Sequence, residues 1–381
     1  MARPGAIVGT LSLIVFLRVM GITLVVTGFL SYVRTLGGTP LQGGLALGAY
    51  PLALAIFLTP MGHLSDRYGR RRVMLAGLLV AAAGSLVAAF APNWWLLALG
   101  RFISGAGAIN GVALAIAGET STPDTRTRRF AVLGAAAGGG VVLGLVGGQL
   151  LVSAIGMRGL LLGFALANLA ILPLLRNLPD APVSPTGRLR VERVVLLLGT
   201  AAFSVNFSLT LLLALLETLV HAAAPGTDIS LLLLGMLLPA GLGMFAASRL
   251  ADRGHVRSVG IAAAAMLGVA PLVFATGRAS IWWLLAAGIV FFLGQSSLTS
   301  LLPSLLSHQA REGGRGAAQG VQSTLQYLGS FAGSVAAGAL AATALGLSVA
   351  FVAAGVLVAL VIIRVVRHRP VVPALPVPAK F

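Results

Sequence analysis

Gly62-His63-Leu64-Ser65-Asp66-Arg67-Tyr68-Gly69-Arg70-Arg71-Arg72-Val73 is the stretch that decides how this chain folds. Apolar runs long enough to cross a bilayer flank it, at about 43–61 and 73–91. A glycine turn, one carboxylate and four arginines therefore fill a short loop between two spanning helices. Loops this rich in arginine stay on the cytoplasmic side. The rest of the chain needs the bilayer as its solvent: 58% of residues are apolar and 9% are charged. Ordinary soluble domains carry roughly 25% charge.

Working outward, the net charge of +17 is not spread evenly. Of 26 basic residues, 21 fall in alternate loops and termini on one face, three (Arg34, Arg158, Arg278) on the other, and two (Arg18, Arg101) inside spans. That asymmetry is the positive-inside pattern and excludes a nucleic-acid partner as its explanation. It predicts a multi-pass protein of the cell membrane with both termini cytoplasmic. The chain has no cysteine, so disulfides and thiolate metal sites are excluded.

Twelve apolar runs recur with short polar breaks: about 6–33, 43–61, 73–91, 94–118, 130–154, 158–176, 194–220, 229–247, 258–276, 280–305, 317–345 and 347–366. Most match the roughly 20 residues a helix needs to span the hydrocarbon. The first run is too long for a signal-peptide core and is expected to remain as span 1. The polar, proline-rich break near the midpoint predicts an N-terminal six-helix bundle (1–176), a cytoplasmic linker (177–193), a C-terminal six-helix bundle (194–366) and a cytoplasmic tail (367–381). The halves echo each other. Trp94-Trp95-Leu96-Leu97-Ala98 returns as Trp282-Trp283-Leu284-Leu285-Ala286, and the arginine loop returns as Ser248-Arg249-Leu250-Ala251-Asp252-Arg253-Gly254-His255, both about 187 residues on. Such a parallel repeat places a pseudo-twofold axis along the membrane normal.

The arginine loop, with its Gly, spacers, Asp-Arg, spacer and Gly-Arg-Arg, closely resembles the loop between helices 2 and 3 of the major facilitator superfamily, and the chain as a whole resembles that superfamily's 12-helix drug:proton antiporter branch. The resemblance implies an all-α integral membrane fold of twelve helices in two pseudo-symmetric bundles, working by alternating access. Within it, Gly62, Asp66, Arg67, Gly69 and Arg70, with Asp252 and Arg253 in the second copy, form a conformational latch. Asp66 is placed to face a helix N-terminus in the other half, near Gly316–Gln319, where the helix dipole favours a carboxylate. Arg101-x-x-x-Gly105-x-Gly107 resembles the superfamily's span 4 motif, whose arginine assists proton transfer; Ser104 stands where the family commonly has glutamine. Leu143-Gly144-Leu145-Val146-Gly147-Gly148 resembles the antiporter motif of span 5 without its proline. Glu119 and Arg126 resemble its cytoplasmic charge network.

The residues add their own constraints. Arg101 lies about 10 Å in from the Trp94 end at 1.5 Å per residue, and Arg18 lies near the middle of span 1. Charges at such depths face water, a partner or backbone carbonyls. Gly140, Gly144 and Gly148 make one row for close helix contact, with Gly147 beside it. Tyr50, Asn206, Gln295, Gln322 and Gln326 outline a mostly apolar chamber. No carboxylate falls near mid-span, so a proton pathway has to use Glu217, Glu119 or Asp66 at the rims. No Walker sequence, Gly-x-Ser-x-Gly or His-Glu-x-x-His motif occurs, so neither ATP drive nor hydrolysis is expected of this chain. The expected function is proton-coupled efflux of drug-like amphipathic molecules by a monomer, with no cofactor and the proton gradient as energy source. Its partners are a small-molecule substrate, protons and membrane lipid. The alternative is import or facilitated passage of a small organic anion held by Arg18 and Arg101.

Overall fold

The computed structural model describes residues 4–121, 123–178, 192–223, 225–272, 280–309, 315–340 and 343–367; the expected linker and tail lie almost wholly outside them. Every regular element among the described residues is helical. Inside a bilayer only a helix satisfies its own backbone N–H and C=O groups within one segment, so apolar sequence of this length has no competing solution.

The helices are α1 (Pro4–Leu24), α2 (Phe29–Thr35), α3 (Pro40–Tyr68), α4 (Arg70–Ala89), α5 (Trp94–Ala106), α6 (Asn110–Glu119), α7 (Pro123–Ala170), α8 (Arg193–Ala223), α9 (Ile229–Leu250), α10 (Val256–Val269), α11 (Ile281–Gln309), α12 (Arg315–Leu340) and α13 (Ala344–Arg367). Three start on side-chain caps. Thr39 accepts from the Gln42 N–H while the Gln42 side chain accepts from the Thr39 N–H, Asn93 accepts from the Leu96 N–H, and Asp228 accepts from the Ser230 and Leu231 N–H groups. The tryptophans mark the same end of the molecule: Trp95, Trp282 and Trp283 are all exposed, as interfacial indoles are.

Among the described residues, nine stretches are long and apolar enough to cross a membrane. Two of them, Arg128–Asn177 and Ile229–Val269, are 50 and 41 residues long, far more than one crossing needs. Each contains a glycine in left-handed geometry, Gly156 (φ 70°) and Gly254 (φ 94°), where the helix turns. The 26-residue α12 is not among the nine; Gln319, Gln322 and Gln326 dilute its apolar composition.

Two expected spans are interrupted. The run 6–33 breaks between α1 and α2, where Gly28 sits at φ 78°. The run 94–118 breaks at residues 107–109, between α5 and α6. The second break is packed from outside: a methyl group on Gly107 would sit 2.2 Å from the Gly77 carbonyl oxygen of α4, and one on Gly105 would sit 2.4 Å from the Tyr50 carbonyl oxygen of α3. Close approach therefore selects both glycines.

The first and second parts of the chain meet most tightly where α3 packs on α12. A methyl on Gly44 would fall 2.3 Å from the Ser334 carbonyl oxygen, and one on Gly338 would fall 2.3 Å from that of Pro40. This backbone-to-backbone contact lies at the tryptophan end. Toward the arginine-rich end the same helices carry Gly62 and Gly320, and a methyl on either would meet nothing within 4 Å.

Candidate functional site

Arg18 of α1 and Arg101 of α5 converge on the ring of Tyr50 in α3. The Arg101 guanidinium carbon lies 4.7 Å from the Tyr50 centroid and 5.7 Å from that of Phe29, while Arg18 lies 6.0 Å from both Tyr50 and Phe164. All three central side chains are enclosed: Arg18 is 1% exposed, Arg101 2% and Tyr50 0%. A guanidinium at the centre of a bilayer costs about 2.5–3.5 kcal/mol on insertion scales. A desolvated aromatic face returns about 2 kcal/mol, so two faces account for Arg101. Arg18 sits at the limit of that interaction and depends instead on a hydrogen bond, Nη2 donating to the Gly107 carbonyl oxygen at 2.8 Å. That carbonyl is available because α5 stops there; it also accepts the Ile109 N–H at 2.9 Å.

Among the described residues, no carboxylate joins this pair. The sequence has none among residues 1–65 or 67–118. Arg18 Nε and Nη1, Arg101 Nε and the Tyr50 hydroxyl are all buried without a hydrogen-bond partner. Tyr327 of α12 packs on the same Tyr50–Leu54–Ala108 cluster, and its hydroxyl interacts with the Asn110 side chain at the start of α6. Sequence reasoning missed Asn110 and Tyr327, along with the aromatic supports Phe29 and Phe164. The only signal for Asn110 was its place after a Gly-x-Gly stretch; tyrosine and phenylalanine within apolar runs carry none.

The other expected chamber residues divide. Gln326 Nε2 donates to Asn206 Oδ1 at 3.4 Å, joining α12 to α8. Gln295 donates to Thr299 one turn along α11. Gln322 is 2% exposed, and its Oε1 has no partner. Glu217 lies toward the tryptophan end of α8, where its Oε2 accepts from Ser31 of α2 at 3.3 Å. The glycine row does what its spacing implies: methyl groups on Gly140, Gly144 and Gly148 would press within 3 Å of the carbonyl oxygens of Phe16, Met20 and Leu24, while Gly147 faces open space. The row clamps α7 onto α1.

At the arginine-rich end, Gly69 turns at φ 97° and sets Arg70 between two carboxylates. Arg70 Nη1 meets Asp66 Oδ1 at 2.6 Å, Nη2 meets Glu119 Oε1 at 2.6 Å, and Nη1 also donates to Ser65. Two of the expected partners fall where side chains are not described. Asp66 bonds Arg70 four residues along its own chain segment; of its expected cross-half counterpart near Gly316–Gln319, the side chains of residues 316 and 317 lie outside the described residues. Glu119 likewise takes Arg70 as its partner; the Arg126 side chain also lies outside the described residues. Arg67 rests against Tyr68, 5.5 Å from its ring. In the second copy Asp252 and Arg253 are exposed.

Bilayer-length helices, broken at mid-depth around buried guanidinium and amide groups, are the build of a membrane transporter, whose broken helices expose backbone groups at a central site. The family comparison agrees. The Major Facilitator Superfamily sequence model matches residues 11–224 and 196–380, and the chain belongs to that superfamily. It is 29% identical over 335 residues to the inner membrane transport protein YajR of Escherichia coli K12, covering 82% of this chain and 72% of YajR. Over 107 residues it is 39% identical to the class B tetracycline resistance protein of Escherichia coli, covering 28% of this chain and 27% of that protein. The human organic anion transporter MFSD10 shares the fold with a TM-score of 0.69 at 21% identity, over 96% of this chain and all of MFSD10. It is a multi-pass membrane transporter of that superfamily.

Proposed function

We propose that this protein is a proton-coupled exporter of small, drug-like amphipathic molecules. It alternates between two states of a twelve-helix body made of two six-helix bundles, with the arginine-rich loops and both termini in the cytoplasm. Counting a crossing on each side of Gly156 and Gly254, and adding α12, brings the nine apolar stretches to twelve. The observation that carries the alternating-access reading is the uneven contact between α3 and α12. Backbone touches backbone at the tryptophan end, whereas Gly62 and Gly320 toward the other end stand free. That unevenness supports a state closed outward and open to the cytoplasm. The local likeness to a tetracycline resistance protein supports efflux. No cofactor is needed, since the proton gradient supplies the energy, and the monomer holds the whole pathway.

Glu217 is the proposed proton carrier. It lies on the second half of the chain, yet its carboxylate contacts Ser31 of the first, so its charge state bears directly on the outer closure. The test is extrusion of a cationic dye from proteoliposomes under an imposed pH gradient. The expected result is extrusion that a protonophore abolishes and that Glu217→Gln uncouples from the gradient. Gradient-independent flux of organic anions instead would support a second reading, a facilitator of small organic anions. The unpaired Arg18 and Arg101 favour it, and MFSD10 is described as an organic anion transporter.

A further inference from the structure

The break between α5 and α6 leaves an uncapped helix start in the middle of the protein. α6 runs from Asn110 to Glu119, and the residue at its cap position, Ile109, offers no side-chain acceptor. Its first-turn N–H groups, those of Asn110, Gly111 and Val112, have no carbonyl one turn earlier in the helix to bond. Val112 is 1% exposed, while Asn110 and Gly111 are partly exposed, so this helix start is open to a small group on one side only. A helix start carries partial positive charge. Arg18 brings a full one: its Nη2 is tied to the Gly107 carbonyl, three residues before Asn110, while Nε and Nη1 are buried without a partner. A cation and a helix start thus share one locus, and no carboxylate of the first 118 residues other than Asp66 exists to answer them.

We infer that this locus is an anion subsite: Arg18 and the N-terminus of α6 bind a carboxylate or similar oxyanion carried by the transported molecule. The inference rests on the reading of the chain as a transporter with a central site, and it separates the two arginines. Arg101 is held against Tyr50 and Phe29, whereas Arg18 keeps two donor nitrogens free. Aromatic walls from Tyr50 and Phe164 beside Arg18 suit an aromatic carboxylate. Tyr327 reaches Asn110 from α12, so the second half of the chain closes over the same point.

The test is equilibrium dialysis of radiolabelled benzoate against the purified full-length protein in detergent, with benzamide as the neutral competitor of the same shape. Saturable benzoate binding that benzamide does not displace is expected, weakened about tenfold or more by Arg18→Gln. Because Arg18 also holds the Gly107 carbonyl, that variant risks misfolding. Asn110→Asp avoids this risk by placing a carboxylate of the protein's own in the first turn, where the helix dipole favours it. It should retain the melting temperature and lose benzoate binding. Absence of saturable binding in the wild-type protein, or unchanged binding in Asn110→Asp, overturns the subsite. Dye extrusion is read separately: a protein that extrudes dye but ignores benzoate keeps the exporter reading and loses the anion subsite. One that binds benzoate and moves nothing does the reverse.

Discussion

The two copies of the arginine loop share a turn and little else. Each places a glycine at strongly positive φ, 97° at Gly69 and 94° at Gly254, between two helices. In the first copy three residues separate Asp66 from the glycine's far side, so Arg70 falls four positions after Asp66, on the same helical face. The second copy is one residue shorter: Asp252-Arg253-Gly254 lacks the counterpart of Tyr68, and four positions after Asp252 comes Val256. No side chain at that position can answer the carboxylate. Arg70 is buried between Asp66 and Glu119, whereas Asp252, Arg253 and His255 are exposed. A one-residue difference in spacing thus separates a charge network joining α3, α4 and α6 from a solvated turn.

This comparison ranks the effects of substitution. Arg70→Ala should be the most damaging, since it leaves two carboxylates facing each other. A fully buried pair broken this way costs about 3–5 kcal/mol. Asp66 and Glu119 side chains keep 25% and 34% of their exposure, so about 2 kcal/mol is expected here, read as a fall in unfolding midpoint together with loss of transport. Glu119→Gln keeps an acceptor and Arg70's bond to Asp66, and about 1 kcal/mol should be lost. Asp252→Asn should change stability by no more than about 0.5 kcal/mol. A large loss there would show that the second loop has partners of its own and would sink the contrast. Smallest of all, inserting a tyrosine between Arg253 and Gly254 together with His255→Arg restores the spacing. An exposed pair of this kind gains about 0.3–0.5 kcal/mol, visible as a small rise in midpoint and no gain in transport.

Much of this was legible from the chain alone. The apolar runs and the glycine turn of the arginine loop are local features that depend on a residue and its near neighbours. The glycine row of α7 was readable for the same reason, because a period of four defines one face whatever packs against it. The candidate site was legible only in part. Arg18, Arg101 and Tyr50 were singled out because charge and polarity are conspicuous in an apolar run. Their convergence was not readable, since they lie in three helices whose mutual rotation no local pattern records. The pairing of Asp66 with Arg70 lies four residues along the chain and is readable from spacing alone.

The sequence by itself determined the solvent, the helical class and the superfamily, because hydropathy and charge act through composition and short-range spacing. Only the tertiary structure decided where the helices break and what the breaks expose. The interruptions at Gly28 and Gly107 fall within runs that read as continuous, and Gly107 is held by the close approach of α4. A backbone carbonyl freed there, with Arg18 upon it, exists only once four helices have packed; no stretch of residues contains it.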